Sequence, residues 1–259
     1  MAMVLLTSAA GSPGVTTTAV GLARCWPGDT LLVDADRQPT QAILAGFLNG
    51  TPAVGRGLTG LARVHRERRS VAGELPLHCV PLGEDPTHRR IHLPGFSHPG
   101  SPALFGPIWP ELTDALTALR TGGTNVIVDA GRLGDGLPAP LLTSADVVLV
   151  VTRTSLRALA GVRLYLPQLQ QRIEALAVGT QVGLVLVGEG RPYTAKEISR
   201  QFGIAVWGSI AHQPRAARVW SDGAAPFGRF EHSALARTVR GTIATIRSRI
   251  ETAEELERL

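Results

Sequence analysis

The spacing of apolar and polar residues predicts a chain in which short buried strands alternate with helices. Continuous apolar runs are typical of strands buried in a parallel sheet, whereas apolar residues three or four positions apart indicate helices. The predicted strands begin at Met3 and occupy residues 30–33, 77–82, 125–128, 146–152, 181–187 and 205–210. The predicted helices occupy residues 16–24, 39–48, 57–69, 111–120, 155–176, 196–202 and 233 to the end. This order favours an α/β fold: a doubly wound, mostly parallel sheet of about seven strands with helices on both faces.

The chain is long enough to bury a full core as one domain. It has 259 residues, of which 44% are hydrophobic, at the upper end of what one α/β domain usually holds. No apolar run reaches the length that crosses a bilayer, and the first strand begins without a charged leader segment. We therefore expect a single cytoplasmic domain over residues 1–259, with an irregular segment rich in His, Pro and Gly at about residues 83–110.

The most informative stretch is the turn that follows the first strand. Residues 3–23 read MVLLTSAAGSPGVTTTAVGLA, which is the order of a strand, a glycine-rich turn and a helix. Gly11 and Gly14 allow backbone N–H groups to point at phosphate oxygens, and the positive end of the helix dipole favours an anion. The turn therefore predicts a phosphate site, yet it lacks the lysine that an ordinary phosphate-binding loop carries.

Carboxylates follow two of the predicted strands. Asp34 and Asp36 end the second strand, and Asp129 ends the strand at residues 125–128. Because open α/β sheets bind ligands at the carboxyl ends of their strands, we expect the Asp34–Asp36 pair to point into the same crevice as the glycine turn. Asp129 is then a candidate partner for Mg²⁺.

Charge and cysteine content change this picture little. The net charge is +5, and every basic residue except Lys196 is an arginine, which suits a nucleic-acid or anionic-lipid surface. A compositional bias towards arginine gives the same count, so the excess is weak evidence. Cys25 and Cys79 match neither a disulfide framework nor a zinc pattern, which agrees with a reducing compartment.

Five of the seven histidines lie between residues 65 and 98, namely His65, His78, His88, His92 and His98. A metal site and solvated loop histidines are the two alternatives. No pair has the spacing of a zinc motif, and prolines interrupt the segment, so the sequence favours solvated loop histidines.

Five segments, in this order, resemble the ParA/MinD branch of the P-loop NTPases, the deviant Walker A ATPases. They are GSPGVTTTAVGLA, LLVDAD, NVIVDAG, SADVVLVVTRTSLRALAGVRL and FGIAVWGSIAHQPRAARVWSDGAAP. The resemblance runs nearly end to end. It implies a P-loop domain that binds ATP and Mg²⁺ and forms a homodimer across the nucleotide loop.

The resemblance also implies roles for individual residues. Thr16 and Asp129 are the expected Mg²⁺ partners, and Asp36 is the residue that positions the attacking water. The expected nucleotide-binding residues are Gly11, Ser12, Pro13, Gly14, Val15, Thr16, Thr17, Asp34 and Asp129.

The sequence departs from the family pattern where charge is needed. Ala10 replaces the signature lysine that reaches the partner's nucleotide, and Val15 replaces the lysine that pairs with the β- and γ-phosphates. Losing both removes a contribution of several kcal/mol to stabilising phosphate charge, so rapid ATP hydrolysis is not expected. Arg37 and Arg132 are candidates for substitute charge, against the alternative of ordinary surface or structural arginines. Residues 187–190 stand where the family places an adenine-binding Asn.

Three functions remain open. The first is a positioning protein of the TadZ/CpaE-like or septum-site-determining-like kind, recruited to a pole, septum or nucleoid as a localisation factor for a pilus, secretion or division machine. The second is a nucleotide-free pseudo-ATPase scaffold. The third is a ParA-type partition ATPase that binds the DNA backbone. The arginines available for that are Arg215, Arg218, Arg237, Arg240, Arg247 and Arg249.

Overall fold

The structure, a computed structural model, describes residues 1–11, 13–134 and 136–257. Ser12, which the sequence assigns to the nucleotide loop, lies outside the described residues. The strands in the described ranges are β1 (Met3–Ser8), β2 (Thr30–Asp34), β3 (Val80–Pro81), β4 (Arg90–Leu93), β5 (Asn125–Arg132), β6 (Val147–Arg153), β7 (Gln181–Val187) and β8 (Val206–Ile210). The helices there are α1 (Val15–Cys25), α2 (Gly57–Arg66), α3 (Val71–His78), α4 (Trp109–Thr121), α5 (Ala139–Ser144), α6 (Leu156–Ala175), α7 (Ala195–Phe202), α8 (Pro214–Ser221) and α9 (Ala234–Glu257).

These strands form one sheet in the order β3-β4-β2-β5-β1-β6-β7-β8. Every neighbouring pair is parallel except β3 and β4, which are antiparallel. The predicted fold class, a doubly wound and mostly parallel sheet, is confirmed, with eight strands in the described chain instead of about seven.

The sheet is buried on both faces, which explains why its strands are continuous apolar runs. Side chains alternate in β1: Met3 and Leu5 pack against one layer of helices, and Val4 and Leu6 against the other. The first layer contains α2 to α7, and the second contains α1, α8 and α9. None of the described helices is both long enough and apolar enough to cross a lipid bilayer.

Three predicted segments differ from the structure. The predicted strand at 77–82 is the end of α3 followed by the two-residue β3, because Ser70 caps a helix by accepting a hydrogen bond from the Gly73 N–H. The segment at 83–110, predicted to be irregular, contains β4, which pairs with β2. The predicted helix at 39–48 is reduced to a π-helical turn at Ile43–Phe47.

The prediction for the histidines is wrong for two of them. His78 and His92 are buried, at 6% and 0% exposure. His92 belongs to β4, where its Nδ1 lies 3.0 Å from the carbonyl oxygen of Leu32 on the neighbouring strand. Its Nε2 has no partner among the described residues, and burial lowers the pKa of His92 to about 4. A strand with a polar residue at a buried position escapes a search for apolar runs.

Arg90, also on β4, connects this strand to the end of α1. Its guanidinium donates to the Ala23 and Trp26 carbonyl oxygens at 2.6 and 3.0 Å and to Asp85 at 2.6 Å. The last carbonyls of a helix have no partner within the helix, so this buried arginine satisfies them. Arg90 is therefore a structural residue, and the charge it carries is neutralised by Asp85.

We predict that Arg90→Met lowers the free energy of unfolding by about 3 to 5 kcal/mol, because Asp85 loses its partner and helix-end carbonyls lose their donors. Urea denaturation at neutral pH measures this. Arg89→Met is the matched control, since Arg89 is exposed, and it should change stability by less than about 0.5 kcal/mol. Equal losses in the two variants would contradict the role of Arg90.

We also predict that His92 makes stability fall as the solution is acidified. The pKa of His92 in the folded state, about 4, lies below the ordinary value of 6.5. Between these two pH values the imidazole is therefore protonated in the unfolded chain and neutral in the native chain. The stability it confers is present above pH 6.5 and is lost between pH 6.5 and 4, by up to about 3 kcal/mol. Urea midpoints measured against pH should fall less steeply for His92→Leu across this window. Parallel profiles would refute the assignment.

Candidate functional site

A cavity of about 480 Å³ opens at the carboxyl edge of the sheet beside the loop that joins β1 to α1. This volume lies in the range of small-molecule sites. The described residues that line it are Ser8, Gly11, Pro13, Gly14, Val15, Thr16, Thr17, Thr18, Asp36, Gln38, Thr40, Gly131, Arg132, Arg153, Val187, Ile210, Ala211, His212, Gln213, Pro214, Ala217 and Leu235.

The loop keeps the backbone conformation that its glycines allow. Gly11 has a φ of 72° and Gly14 a φ of 104°, both in the region that L side chains rarely adopt. A β-carbon on either glycine would meet no atom within 4 Å, so conformation and not space requires glycine here. Gly14 is also the N-cap of α1, which turns the free N–H groups of the first helical turn towards the cavity.

Ala10 and Val15, the two loop positions at which the resembling family carries lysine, pack against other parts of the chain. Val15 is only 7% exposed and belongs to the core beneath the loop, while still forming part of the cavity wall. Ala10 lies against α6: a β-carbon placed on Gly161 would be 2.8 Å from that of Ala10. The loop is thus supported from below by the core and from the side by α6.

Asp36 faces the cavity from the turn after β2. The N–H of Gln38 donates to its carboxylate at 2.8 Å, and a β-carbon on Gly131 would lie 2.1 Å from its carboxyl carbon. Burial raises the pKa of Asp36, whereas the Gln38 N–H and the charges of Arg132 and Arg37 lower it. Asp36 is therefore held at the cavity wall by the Gln38 N–H, and it lies near Arg132 and Arg37.

Asp34 and Asp129 lie beneath this wall and are not among the residues that line the cavity. Burial, and then the charge of Asp129, raise the pKa of Asp34 above its ordinary value. Burial also raises the pKa of Asp129, whereas hydrogen bonds from the Thr16 hydroxyl and from the Gly131 N–H, the latter at 3.0 Å, lower it. The structure therefore separates the two predicted carboxylates of the Asp34–Asp36 pair, and only Asp36 reaches the crevice.

The residues predicted for Mg²⁺ fit a shared site. Thr16 lines the cavity and its hydroxyl contacts Asp129 behind it, which gives the oxygen donors that Mg²⁺ prefers. Within the described ranges, no group of three or more His, Cys, Asp or Glu could hold a metal unaided. This donor set fits an ion that takes its remaining ligands from water and from a bound phosphate.

The far side of the cavity is mostly apolar, with His212 and Gln213 as polar residues in the same wall. Val187 and Ile210 end β7 and β8, and Ala217 and Leu235 come from α8 and α9. Gln213 accepts a hydrogen bond from the Leu235 N–H at 2.9 Å, which fixes the loop between β8 and α8. A phosphate-sized loop at one end and an apolar slot at the other match the two halves of a nucleotide.

Sequence reasoning missed several wall residues, above all Arg153, His212 and Gln213. Arg153 ends β6 at the same edge as the predicted carboxylates, so the strand-end rule that selected Asp129 also applies to it. His212 and Gln213 belong to the last of the five segments that carry the family resemblance, but nothing in their residue type singled them out.

Arg132 and Arg37, the two arginines proposed to replace the lysine charge, differ in their position relative to the cavity. Arg132 lines the cavity, and its Nε donates to the Gly11 carbonyl oxygen at 3.0 Å. Arg37 donates to the Gly136 carbonyl oxygen and is not one of the described cavity-wall residues.

Comparison with solved structures identifies this arrangement of strands and loop. The chain is similar to a ParA family ATPase from Chlorobium tepidum, with a TM-score of 0.71, 16% identity and coverage of 94% of this chain and 99% of that one. The chain has the ParA/MinD fold. It is also similar to a chain of the MinC:MinD cell division protein complex of Aquifex aeolicus, with a TM-score of 0.68, 13% identity and coverage of 96% of each chain.

A third ParA/MinD structure is a putative plasmid partition protein of Borrelia burgdorferi bound to AMPPNP. Its TM-score is 0.68 at 13% identity, with coverage of 96% of this chain and 99% of that one. No protein-family model matches the chain, and no curated protein matches its sequence. The resemblance inferred from the five motifs is thus confirmed by structure, at the level of the ParA/MinD fold.

The arginines considered for DNA are mostly engaged within the chain. Arg218 pairs with Asp222 at 3.0 Å, Arg240 with Glu231 at 2.8 Å and Arg247 with Glu251 at 3.7 Å. Arg249 lies 5.1 Å from the centre of a Trp207 ring. These contacts give no particular support to a DNA surface, and DNA binding stays a prediction.

We predict that Gly14→Ala lowers the free energy of unfolding by about 1 to 2 kcal/mol, because alanine resists the left-handed backbone that the loop requires. Gly100→Ala is the matched control: a β-carbon there also meets nothing within 4 Å, but the φ of Gly100 is −79°. The control should be neutral or slightly stabilising. Urea denaturation compares them, and equal effects would show that conformation does not explain Gly14.

Proposed function

We propose that residues 1–259 form a single ParA/MinD-like P-loop domain that binds Mg²⁺-ATP and acts as a localisation or assembly factor for a cellular machine. The observation that carries this proposal is one cavity containing both parts of a nucleotide site. Gly11, Gly14 and Thr16 form its phosphate end, and Val187 and Ile210 belong to its apolar end.

The absence of lysine at Ala10 and Val15 affects ATP hydrolysis more than ATP binding. Backbone N–H groups, a helix N-terminus and a hydroxyl favour a phosphate ligand in the ground state. Stabilising the charge that develops during phosphoryl transfer requires cations at defined positions, and the loop supplies none at Ala10 or Val15. We therefore assign the nucleotide a structural role, in which binding and release, and not rapid hydrolysis, set the state of the protein.

The proposed residue roles follow the cavity. Gly11, Pro13, Gly14, Val15, Thr16 and Thr17 line the cavity and would surround the phosphates. The role of Ser12, which lies outside the described residues, rests on the sequence alone. Thr16 with Asp129 behind it would hold Mg²⁺, and Asp34 lies beside Asp129 in the register of β2 and β5. Asp36 occupies the position from which a water could be oriented. A homodimer would form across the loop face, and a protein partner of a pilus, secretion or division assembly would bind the resulting surface.

A nucleotide-free scaffold is the second candidate, and the packing of Val15 favours it. With 7% exposure, Val15 contributes apolar surface where the related loops carry charge. In that case the cavity belongs to the fold but binds no nucleotide, and the partner binds a protein that has only one conformational state.

We predict that isothermal titration calorimetry detects ATP binding that depends on Mg²⁺ and weakens about 10-fold in Thr16→Val, which removes one hydroxyl contact. Thr245→Val is the control, because Thr245 is a half-buried residue of α9, as Thr16 is of α1, and is not part of the described cavity wall. Phosphate release should stay at background and be unchanged by Asp36→Ala. Absence of heat and of a thermal shift at millimolar nucleotide would favour the scaffold. Turnover that disappears in Asp36→Ala would refute the binding-only cycle.

A further inference from the structure

A triphosphate bound at the loop would bring several negative charges to a site without lysine. Charge of this kind is bound well only where cations or oriented N–H groups offset it. The cavity wall contains two arginines and no lysine among its described residues. These arginines, Arg132 and Arg153, are the side chains of the described wall that could offset phosphate charge with a full positive charge.

Arg132 stands directly beside the start of the loop. It is the last residue of β5, and the register pairs it with Ser8, the last residue of β1. The hydrogen bond from its Nε to the Gly11 carbonyl oxygen, at 3.0 Å, holds the guanidinium against the loop. It lies close enough to Asp36 to lower the pKa of that carboxyl.

Arg153 approaches from the opposite side of β1. It is the last residue of β6, the strand that flanks β1 across from β5. Its side chain is exposed and lines the cavity, and within the described ranges its guanidinium makes no hydrogen bond or ion pair. The donors of Arg153 thus remain available to a ligand, on a strand end that fixes the backbone from which the side chain extends.

We propose that Arg132 and Arg153 replace the two missing loop lysines and clamp a polyphosphate between them. This inference rests on the proposed function, since it assigns the phosphate end of the same cavity. A guanidinium offers two parallel N–H donors to phosphate oxygens, so two arginines from the strands on either side of β1 grip a phosphate chain from both sides. The contribution of the two arginines to affinity then increases with the number of phosphates in the ligand.

The test uses the full chain and two probes, Mg²⁺-ATP and inorganic tripolyphosphate with Mg²⁺, in isothermal titration calorimetry. Arg153→Gln and Arg132→Gln should each weaken binding of both probes about 10-fold, the value of one charge-assisted contact. Gln retains a donor for the Gly11 carbonyl oxygen, which protects the loop in Arg132→Gln. Arg153→Lys should recover part of the loss because it keeps the charge.

The matched control is Arg157→Gln, which removes an exposed arginine, the second residue of α6, that is not part of the described cavity wall. A second readout separates a clamp from a structural role: the loss in Arg153→Gln should be large for ATP, smaller for ADP and smallest for AMP. A variant that merely disturbs the fold weakens all three alike, and that pattern would overturn the clamp.

The outcomes distinguish the clamp from the proposed function. ATP binding that is unaffected by either Gln variant overturns the clamp and leaves the nucleotide site in place. Tripolyphosphate binding that is lost in both variants, without ATP binding, supports the clamp and rejects the nucleotide. Binding of neither probe overturns both.

Discussion

The site depends on the burial of β1 between β5 and β6. A strand that is hydrogen-bonded on both edges and packed on both faces cannot shift without breaking ladder hydrogen bonds and displacing close-packed side chains, so its last residue is fixed in space. The loop therefore leaves the sheet at one defined point, with the ends of β5 and β6 on either side of it. Arg132 and Arg153 owe their positions to this arrangement and not to the loop itself.

The core of the fold could be predicted from the sequence because local signals agreed there. In β1, the glycine turn and α1, apolar period, turn chemistry and helix start all indicate the same structure. β4 was missed because Arg90 and His92 interrupt its apolar pattern. Both side chains contact groups distant in sequence, the carbonyls of Ala23 and Trp26 for Arg90 and that of Leu32 for the Nδ1 of His92, which a local pattern does not reveal.

The candidate site shows the same division. The glycines and Asp36 were predictable, since a φ above zero and a strand-end carboxylate have sequence signatures. The position of Asp34 was not, because β2 ends at Asp34 and the chain turns before Asp36. Nor could the sequence distinguish Arg132 from Arg37: the two lie at comparable places after strand-end carboxylates, and only the three-dimensional path of the turns directs one to the cavity and the other to Gly136.

The contact between Ala10 and Gly161 has a consequence for how the site communicates. The loop and α6 touch where neither residue has side-chain atoms to rearrange, so a displacement of one is resisted by the backbone of the other. α6 also carries exposed leucines, Leu156 and Leu164, on its outer side. Any ligand of the loop that prefers one position of α6 changes the affinity of whatever binds that helix, and thermodynamic linkage requires the same factor in the reverse direction.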